Sequence, residues 1–219
     1  MNSKTKKLTT TGVLIALGTI LSVIVVYKLP YGGSITLAGM VPVVVLGYKY
    51  SPKWGLLSGF VFSLIQAIIG ATASQAFAGM YDPNNAAKSV INIVLMAFLD
   101  YVVAYSVLGL SGIFKNRIKN DTAALAVGAG CACFFRFVAH FLSGWILWGS
   151  YAEWFFTETM NNDFGKGILE KYSGQGLAVI YSIIYNGSYM LPELIITVVV
   201  CIALISVKPL RKYIVNEEA

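Results

Sequence analysis

Apolar residues along the chain fall into long runs separated by short polar stretches, and most runs have the length of a membrane-spanning helix. A helix needs about 20 apolar residues to cross the roughly 30 Å of hydrocarbon in a bilayer. Because unpaired backbone cannot face lipid, the runs predict helices rather than open strands. We expect six spans, of which the second is short and the fifth is long. They cover residues 8–26, 35–48, 54–70, 89–114, 122–148 and 176–207.

The fifth run contains the most unusual stretch, residues 133–148, which read CFFRFVAHFLSGWILW. Arg136, His140, Gly144 and Trp148 recur every four positions and therefore project from one face of a helix. An ionisable side chain in hydrocarbon is costly, so by default it marks a functional site that faces protein or a water-filled cavity. The structural alternative is a snorkelling arginine together with a histidine that a neighbouring helix satisfies.

Composition supports a single membrane-embedded domain over residues 1–219. The chain is 57% hydrophobic and 12% charged, whereas soluble domains have about 25% charged residues. Mean hydropathy is +0.72. Cys131, Cys133 and Cys201 all lie inside apolar runs, which indicates core residues rather than disulfides or a thiolate metal site. We expect no cleaved signal, because no small-residue cleavage pattern follows the first run.

The basic residues between the spans predict the topology, because Lys and Arg are enriched in cytoplasmic loops. One side of the membrane would carry Lys4, Lys6, Lys7, Lys49, Lys53, Lys115, Arg117, Lys119, Lys208, Arg211 and Lys212. The other side would carry only Lys28, Lys88, Lys166 and Lys171. We therefore expect both termini in the cytoplasm. The net charge of +6 does not indicate nucleic-acid binding, since the basic residues form short clusters rather than one stripe.

The first span carries a strip of small residues, with Gly12 and Ala16 four positions apart. Small residues at this spacing let a second membrane helix approach closely. The strip therefore predicts a docking surface for a partner protein, and the alternative is packing within this chain.

Few other strongly polar side chains lie in the spans. They are Asp100 and Tyr101 in the fourth, and Tyr181, Asn186 and Glu193 in the sixth. On the predicted topology Tyr181 and Asn186 open the sixth span on the same side as His140, Gly144 and Trp148, so these residues converge on one outward-facing pocket. A buried carboxylate needs a partner, so Asp100 faces either a cationic ligand or, as a structural pair, Arg136. Trp148 offers an aromatic face to a cation, and the Tyr181 and Asn186 side chains offer directional hydrogen bonds.

The residues of the chain do not support an enzymatic function. With one histidine and neither an HExxH nor a GxSxG sequence, the chain lacks a zinc pair and a serine triad. No Walker A sequence is present either, so ATP could act only through a partner. We expect a non-enzymatic protein without cofactor or metal.

Four segments resemble the ThiT-like, thiamine-specific S components of energy-coupling factor vitamin transporters. They are LPYGGSITLAGMVP at 29–42, FLDY at 98–101, RFVAHFLSGWILW at 136–148 and YSIIYNGSYMLPE at 181–193. The resemblance implies six helices and an outward pocket, closed by the loop after the first helix, for a thiazolium cation joined to an aminopyrimidine. The third and fourth segments together are the most specific to the family.

The same resemblance implies roles for the polar residues already described. Asp100 stands where the family has an acid, with Tyr101 beside it, and Arg136 matches a basic position one turn deeper than the pocket. His140, Gly144 and Trp148 would form the helix-five wall, and Tyr181 and Asn186 would hold the polar edge of the vitamin. Gly12 and Ala16 match the strip that packs on the shared transmembrane coupling subunit, through which two cytoplasmic ATPases drive uptake.

Two departures from the family pattern concern the pocket. Asp100 is one methylene shorter than the Glu of some relatives, so its contact could run through water. Gly33 and Leu37 occupy lid positions at which relatives can carry Trp and an acid. The alternatives are an S component for another vitamin, such as riboflavin or biotin, and a structural or sensing membrane protein with an internal polar network.

Overall fold

The computed structural model describes residues 3–73 and 76–216 and is mainly helical. Five helical segments are long and apolar enough to cross a membrane. These are Ser3–Val23, Pro52–Ala73, Ala86–Phe114, Asp121–Ile146 and Gly174–Ser206. Large apolar side chains such as Val13, Ile68 and Phe134 lie exposed on their outer faces, as lipid-facing helices require. The expected all-α membrane fold is therefore confirmed.

In chain order the described part of the first half of the protein holds helix α1, a β-hairpin and three further helices. The elements are α1 (Ser3–Val23), strands β1 (Val25–Lys28) and β2 (Ser34–Thr36), α2 (Val41–Lys49), α3 (Pro52–Ala73) and α4 (Ala76–Gly79). The two strands pair antiparallel, with Tyr27 opposite Ile35 and Lys28 opposite Ser34. A short 3-10 turn, Pro30–Gly32, joins them and completes the hairpin.

The second half contains the two longest helices and a set of short connecting helices. Its elements are α5 (Ala86–Met96), α6 (Ala104–Ser106), α7 (Asp121–Ile146), α8 (Ala152–Trp154), α9 (Asp163–Lys171), α10 (Gly174–Ser206) and α11 (Lys208–Val215). A π-helical segment, Ala97–Val103, joins α5 to α6, and a 3-10 segment, Val107–Phe114, follows α6. A second π-helical segment, Phe155–Thr159, follows α8.

The structure corrects the second predicted span. Residues 35 and 36 belong to strand β2, and the helix begins only at Val41. At nine residues and about 1.5 Å per residue, α2 is too short to cross a bilayer. All nine of its residues are buried, because α1, α3 and the segment Val107–Phe114 surround it. Its continuous apolar sequence reflects burial in protein, and the count of six spans stays a prediction.

Glycines let the backbones around α2 approach closely. A Cβ atom on Gly109 would lie 1.9 Å from the carbonyl carbon of Gly55, and one on Gly47 would lie 2.3 Å from the carbonyl oxygen of Gly109. The hydroxyl of Ser111 donates a hydrogen bond to the carbonyl of Val44 at 2.6 Å. Small residues thus let the backbones around α2 pack closely at one end of the bundle.

The first turns of α1 and the last helix, α11, lie at the same end of the bundle, here called the basic end. Tyr213 contacts Thr10 through their hydroxyls at 3.2 Å, and Trp54 Nε1 donates to Thr11 Oγ1 at 2.9 Å. The fully buried Lys49 donates through Nζ to the carbonyls of Tyr213 at 2.5 Å and Asn216 at 2.6 Å. The hairpin lies at the opposite end, the hairpin end.

The contacts of Lys49 predict that its ammonium group fastens α11 to the bundle. Lys49→Met keeps the apolar stem but removes two hydrogen bonds from a charged donor, which are worth about 1.5–3 kcal/mol each. We expect a lower midpoint of thermal unfolding in detergent and faster tryptic cleavage at Arg211 and Lys212. Lys53→Met, at an exposed position of the same end, is the matched control. An equal drop in the midpoint of thermal unfolding in both variants would contradict this role.

Candidate functional site

The π-helical segment Ala97–Val103 presents two of the predicted site residues, Asp100 and Tyr101, to the interior. A π-turn inserts one residue into helical geometry and shifts the direction of the side chains that follow it. Here it brings Tyr101 over Tyr105, with ring centroids 6.4 Å apart and planes 30° apart. Phe77 of α4 packs on the other side of Tyr101, at 5.7 Å between centroids.

A chain of polar contacts joins this segment to α7. The carboxylate of Asp100 lies 2.9 Å from His140 Nδ1 and accepts a hydrogen bond from the Ser143 hydroxyl at 2.6 Å. On its other side the His140 ring meets Arg136, whose Nε donates to His140 Nε2 at 3.3 Å. This contact requires an unprotonated Nε2, so His140 carries its proton on Nδ1 and donates it to Asp100.

The carboxylate of Asp100 therefore contacts His140 and Ser143 and not Arg136, the partner that the structural alternative gave it. The Arg136 guanidinium instead lies over the ring of Tyr105, with Cζ 4.3 Å from the centroid. Both Arg136 and His140 are largely buried, at 8% and 9% exposure. Burial of Arg136 argues against a snorkelling arginine, while the contact of His140 with Asp100 is what the structural alternative expected of the histidine.

The facing wall comes from α10, which packs closely on α7 at Gly144. A Cβ atom on Gly144 would lie 2.3 Å from Ser182 Oγ and 2.8 Å from Asn186 Nδ2. The amide nitrogen of Asn186 donates to the carbonyl of His140 at 3.2 Å, and its oxygen accepts from the Tyr189 hydroxyl at 2.8 Å. Gly144 thus brings the two helices close enough for Asn186 to bond across the gap.

Aromatic side chains close the hairpin end of the site. Trp148 packs on Tyr151, at 5.3 Å between ring centroids. Tyr181 packs on Phe155 at 5.4 Å and on Tyr185 at 5.5 Å. The result is a wall of aromatic faces and hydroxyls around a polar centre.

The hairpin is fastened over the site by side chains of α10. The Tyr185 hydroxyl donates to the carbonyl of Pro30 and accepts from the backbone N–H of Gly33 at 3.2 Å. Two turns further along, the carboxylate of Glu193 accepts a hydrogen bond from the backbone N–H of Thr36. The loop after the first helix therefore covers the site as a short hairpin.

All eight residues predicted to bind ligand line one cavity of about 90 Å³. They are Asp100, Tyr101, Arg136, His140, Gly144, Trp148, Tyr181 and Asn186. The structure thus brings them together, while their ligand-binding roles stay a prediction. Of the two unusual lid positions, Gly33 lines this cavity and packs against Tyr189, whereas Leu37 is about half exposed.

Several lining residues were not predicted from the sequence, chiefly Tyr105, Tyr185 and Tyr189. A signal for two of them was present, because Tyr181, Tyr185 and Tyr189 recur every four residues and share one face of α10 with Glu193. Tyr105 carried a weaker signal, since it stands four residues after Tyr101, but its position over Arg136 depends on how the fourth span meets α7.

Gly12 and Ala16 lie far from this cavity, on an exposed face of α1. A Cβ atom on Gly12 would meet no atom within 4 Å. Packing inside this chain therefore does not explain Gly12. Among the described residues, no group of three or more His, Cys, Asp or Glu side chains could hold a metal ion.

Fold and site together define a multi-pass membrane protein with a cavity lined by polar and aromatic side chains between its helices. The chain belongs to the thiamine transporter protein family (Thia_YuaJ), which it matches over residues 8–161. Because this family consists of transporters, the expectation of a non-enzymatic protein is confirmed.

Individual relatives support the same assignment. The chain is 27% identical to the thiamine transporter ThiT of Bacillus subtilis over 192 residues, which cover 83% of this chain and 80% of the relative. It is 24% identical to ThiT of Lacticaseibacillus paracasei over 181 residues, covering 78% and 73%. A solved structure of ThiT from Listeria monocytogenes shares the fold, with a TM-score of 0.66 and 18% identity over 95% of this chain and 97% of that one.

The close approach at Gly144 predicts that even one added methyl group is harmful. Gly144→Ala would push Ser182 and Asn186 away, and overpacking of this kind costs about 1–3 kcal/mol. We expect a lower midpoint of thermal unfolding in detergent. Gly187→Ala is the matched control, because a Cβ atom there meets nothing within 4 Å and Ala favours the helix. A Gly144→Ala protein as stable as this control would contradict the packing argument.

Proposed function

We propose that this protein is the thiamine-binding S component of an energy-coupling factor transporter, with the cavity between α7, α10 and the hairpin as its vitamin site. The observation that carries the proposal is the pairing of Asp100 with His140 inside an aromatic cavity at membrane depth. A desolvated carboxylate near aromatic faces suits an organic cation. The family assignment and the names of the relatives support the same ligand.

In this proposal each part of the cavity meets one part of the vitamin. Asp100 supplies negative charge for the thiazolium ring, and Trp148 offers an aromatic face to the same charge. Tyr181 and Asn186 bind the polar edge of the aminopyrimidine, for which the Asn186 oxygen keeps a second lone pair. Tyr101 packs beside Asp100.

Two residues of α7 shape the site without supplying its charge complementarity. Arg136 holds the tautomer of His140 through the contact at Nε2, and thereby orients the His140 proton toward Asp100. Gly144 lets α7 and α10 approach closely enough for Asn186 to reach α7 at the cavity wall.

For transport we propose that the hairpin end faces outward and the basic end faces the cytoplasm. Two observations support this orientation. The contacts among α1, α2 and α11 bring the first and last described helices to one end, and Lys7, Lys49 and Lys115 lie there, as expected of a cytoplasmic surface. The exposed strip of Gly12 and Ala16 would dock on the transmembrane coupling subunit, through which two cytoplasmic ATPases drive uptake.

A calorimetric titration of the detergent-purified chain tests the ligand. We expect saturable binding of thiamine, with riboflavin and biotin as controls that do not bind. Saturable binding of riboflavin or biotin without a response to thiamine would favour an S component for another vitamin. No saturable ligand, together with His140→Ala and Trp148→Ala variants that are merely less stable, would favour a structural membrane protein.

The charge of Asp100 can be tested separately from its structural contacts. Asp100→Asn should weaken thiamine binding about tenfold to a hundredfold, since charge-assisted contacts are worth about 1.5–3 kcal/mol. It should weaken a neutral analogue without the thiazolium charge much less. Ser143→Ala, which removes a neighbour of Asp100 outside the cavity lining, is the control and should affect both ligands equally. If Asp100→Asn also lowered the affinities for thiamine and for the neutral analogue by the same factor, Asp100 would be only a structural partner of His140.

Docking is tested by bulky substitutions on the exposed strip. Gly12→Leu and Ala16→Leu should abolish uptake and co-purification with the coupling subunit, because a large side chain prevents close helix approach. Thiamine affinity of the isolated subunit should not change, since the strip lies far from the cavity. Gly130→Leu, another position with open space but on α7, is the matched control. Normal uptake by the α1 variants, or their loss of thiamine binding in detergent, would contradict docking.

A further inference from the structure

A second cavity adjoins the vitamin site and is here called the hairpin chamber. It lies between the hairpin, α1, α3 and α10 and has a volume of about 190 Å³. The two cavities share lining residues, chiefly Tyr101, Tyr105 and Arg136, so they are neighbouring compartments separated by these side chains. Gln66 and Glu193 line the hairpin chamber and do not line the first cavity.

The hairpin chamber matters because the first cavity is too small to hold a two-ring ligand. Pockets for small ligands have volumes of about 300–1,000 Å³, and the cavity around Asp100 has only about 90 Å³. That volume holds one ring of a two-ring ligand and little more. Together with the hairpin chamber it approaches the lower end of the range, so a two-ring ligand would extend past Arg136 into the second compartment.

The hairpin chamber contains an unused hydrogen-bond acceptor. Glu193 is only 2% exposed, and its Oε1 accepts from the backbone of Thr36. Its Oε2 is buried with no hydrogen-bond partner among the described residues. A buried carboxylate oxygen without a donor is costly. Because the Arg136 guanidinium lines the same chamber, the space offers an acceptor and a donor to whatever enters it.

We propose that the hairpin chamber is a second compartment of the ligand site, which takes the hydroxyalkyl arm of the cationic ring, and that Glu193 accepts the hydroxyl proton. This rests on the proposed function. The cationic ring beside Asp100 and Tyr101 lies at the boundary of the chamber, so a short arm on that ring reaches inward. A hydroxyl is both donor and acceptor and therefore matches Glu193 and Arg136 together.

The first test uses the unaltered protein and three ligands, namely thiamine, its deoxy analogue without the arm hydroxyl, and its methyl ether. The methyl ether keeps the oxygen but cannot donate a proton. We expect both analogues to bind about tenfold or more weakly than thiamine, because a hydrogen bond to a charged group is lost. A methyl ether that binds as tightly as thiamine would overturn the proposal. If thiamine itself does not bind, the proposed function fails instead.

The second test assigns the acceptor. In the unaltered protein, removing the arm hydroxyl from the ligand should cost about tenfold or more in affinity. In Glu193→Gln this penalty in affinity should fall to about threefold or less, because a neutral amide forms a weaker hydrogen bond than a carboxylate. Thr197→Val, one turn along α10 and outside both cavity linings, is the matched control and should keep the full penalty. The same penalty in Glu193→Gln as in the unaltered protein would overturn the assignment. A uniform loss for all ligands would also overturn it, and would limit Glu193 to holding the hairpin through Thr36.

Discussion

Arg136 and His140 lie inside an apolar bundle, and this burial constrains the arrangement of everything around them. A cation and an imidazole at membrane depth need partners that the lipid cannot supply. The partners come from three directions. Asp100 and Tyr105 approach from the fourth span, Asn186 reaches the His140 carbonyl from α10, and the guanidinium and imidazole bond to each other. The helices must therefore meet at close and specific distances along this one face of α7.

Small residues make those distances possible. Gly144 removes the Cβ atom that would separate α7 from α10, and without this approach Asn186 could not reach across to α7. Near the other end, Gly47, Gly55 and Gly109 bring three backbones together around the buried helix α2. In a membrane, where apolar burial contributes little to helix association, such contacts and polar bonds hold the bundle. The site and the bundle thus both depend on small residues that let helices pack closely.

The hairpin connects the site to the first helix. Its contacts with α10, through Tyr185 and Glu193, satisfy backbone groups that would otherwise be unpaired. Tyr185 also lines the first cavity, and Glu193 lines the hairpin chamber. Tyr185 and Glu193 stand on the same face as Tyr181 and Tyr189. One face of α10 therefore supplies both groups that line the cavity and groups that hold the hairpin over it.

The sequence alone determined the membrane class, the long helices and the polar face of α7, because each depends on a pattern within one continuous segment. Apolar length predicts a span, and four-residue spacing predicts which side chains share a face. The eight predicted residues, four chosen by this spacing and four as polar side chains within the spans, line one cavity. The short length of α2 was not accessible, since a continuous apolar run has the same appearance whether lipid or protein surrounds it.

Only the tertiary structure decided which polar groups contact each other. Asp100 stands in a π-helical segment and contacts His140 rather than Arg136, and regular helical spacing predicts neither the π-helix nor the choice of partner. The position of Tyr105 over Arg136 and the meeting of Glu193 with Thr36 join residues far apart in the chain. These contacts depend on distances between helices, and the periodicity of a single helix contains no information about those distances.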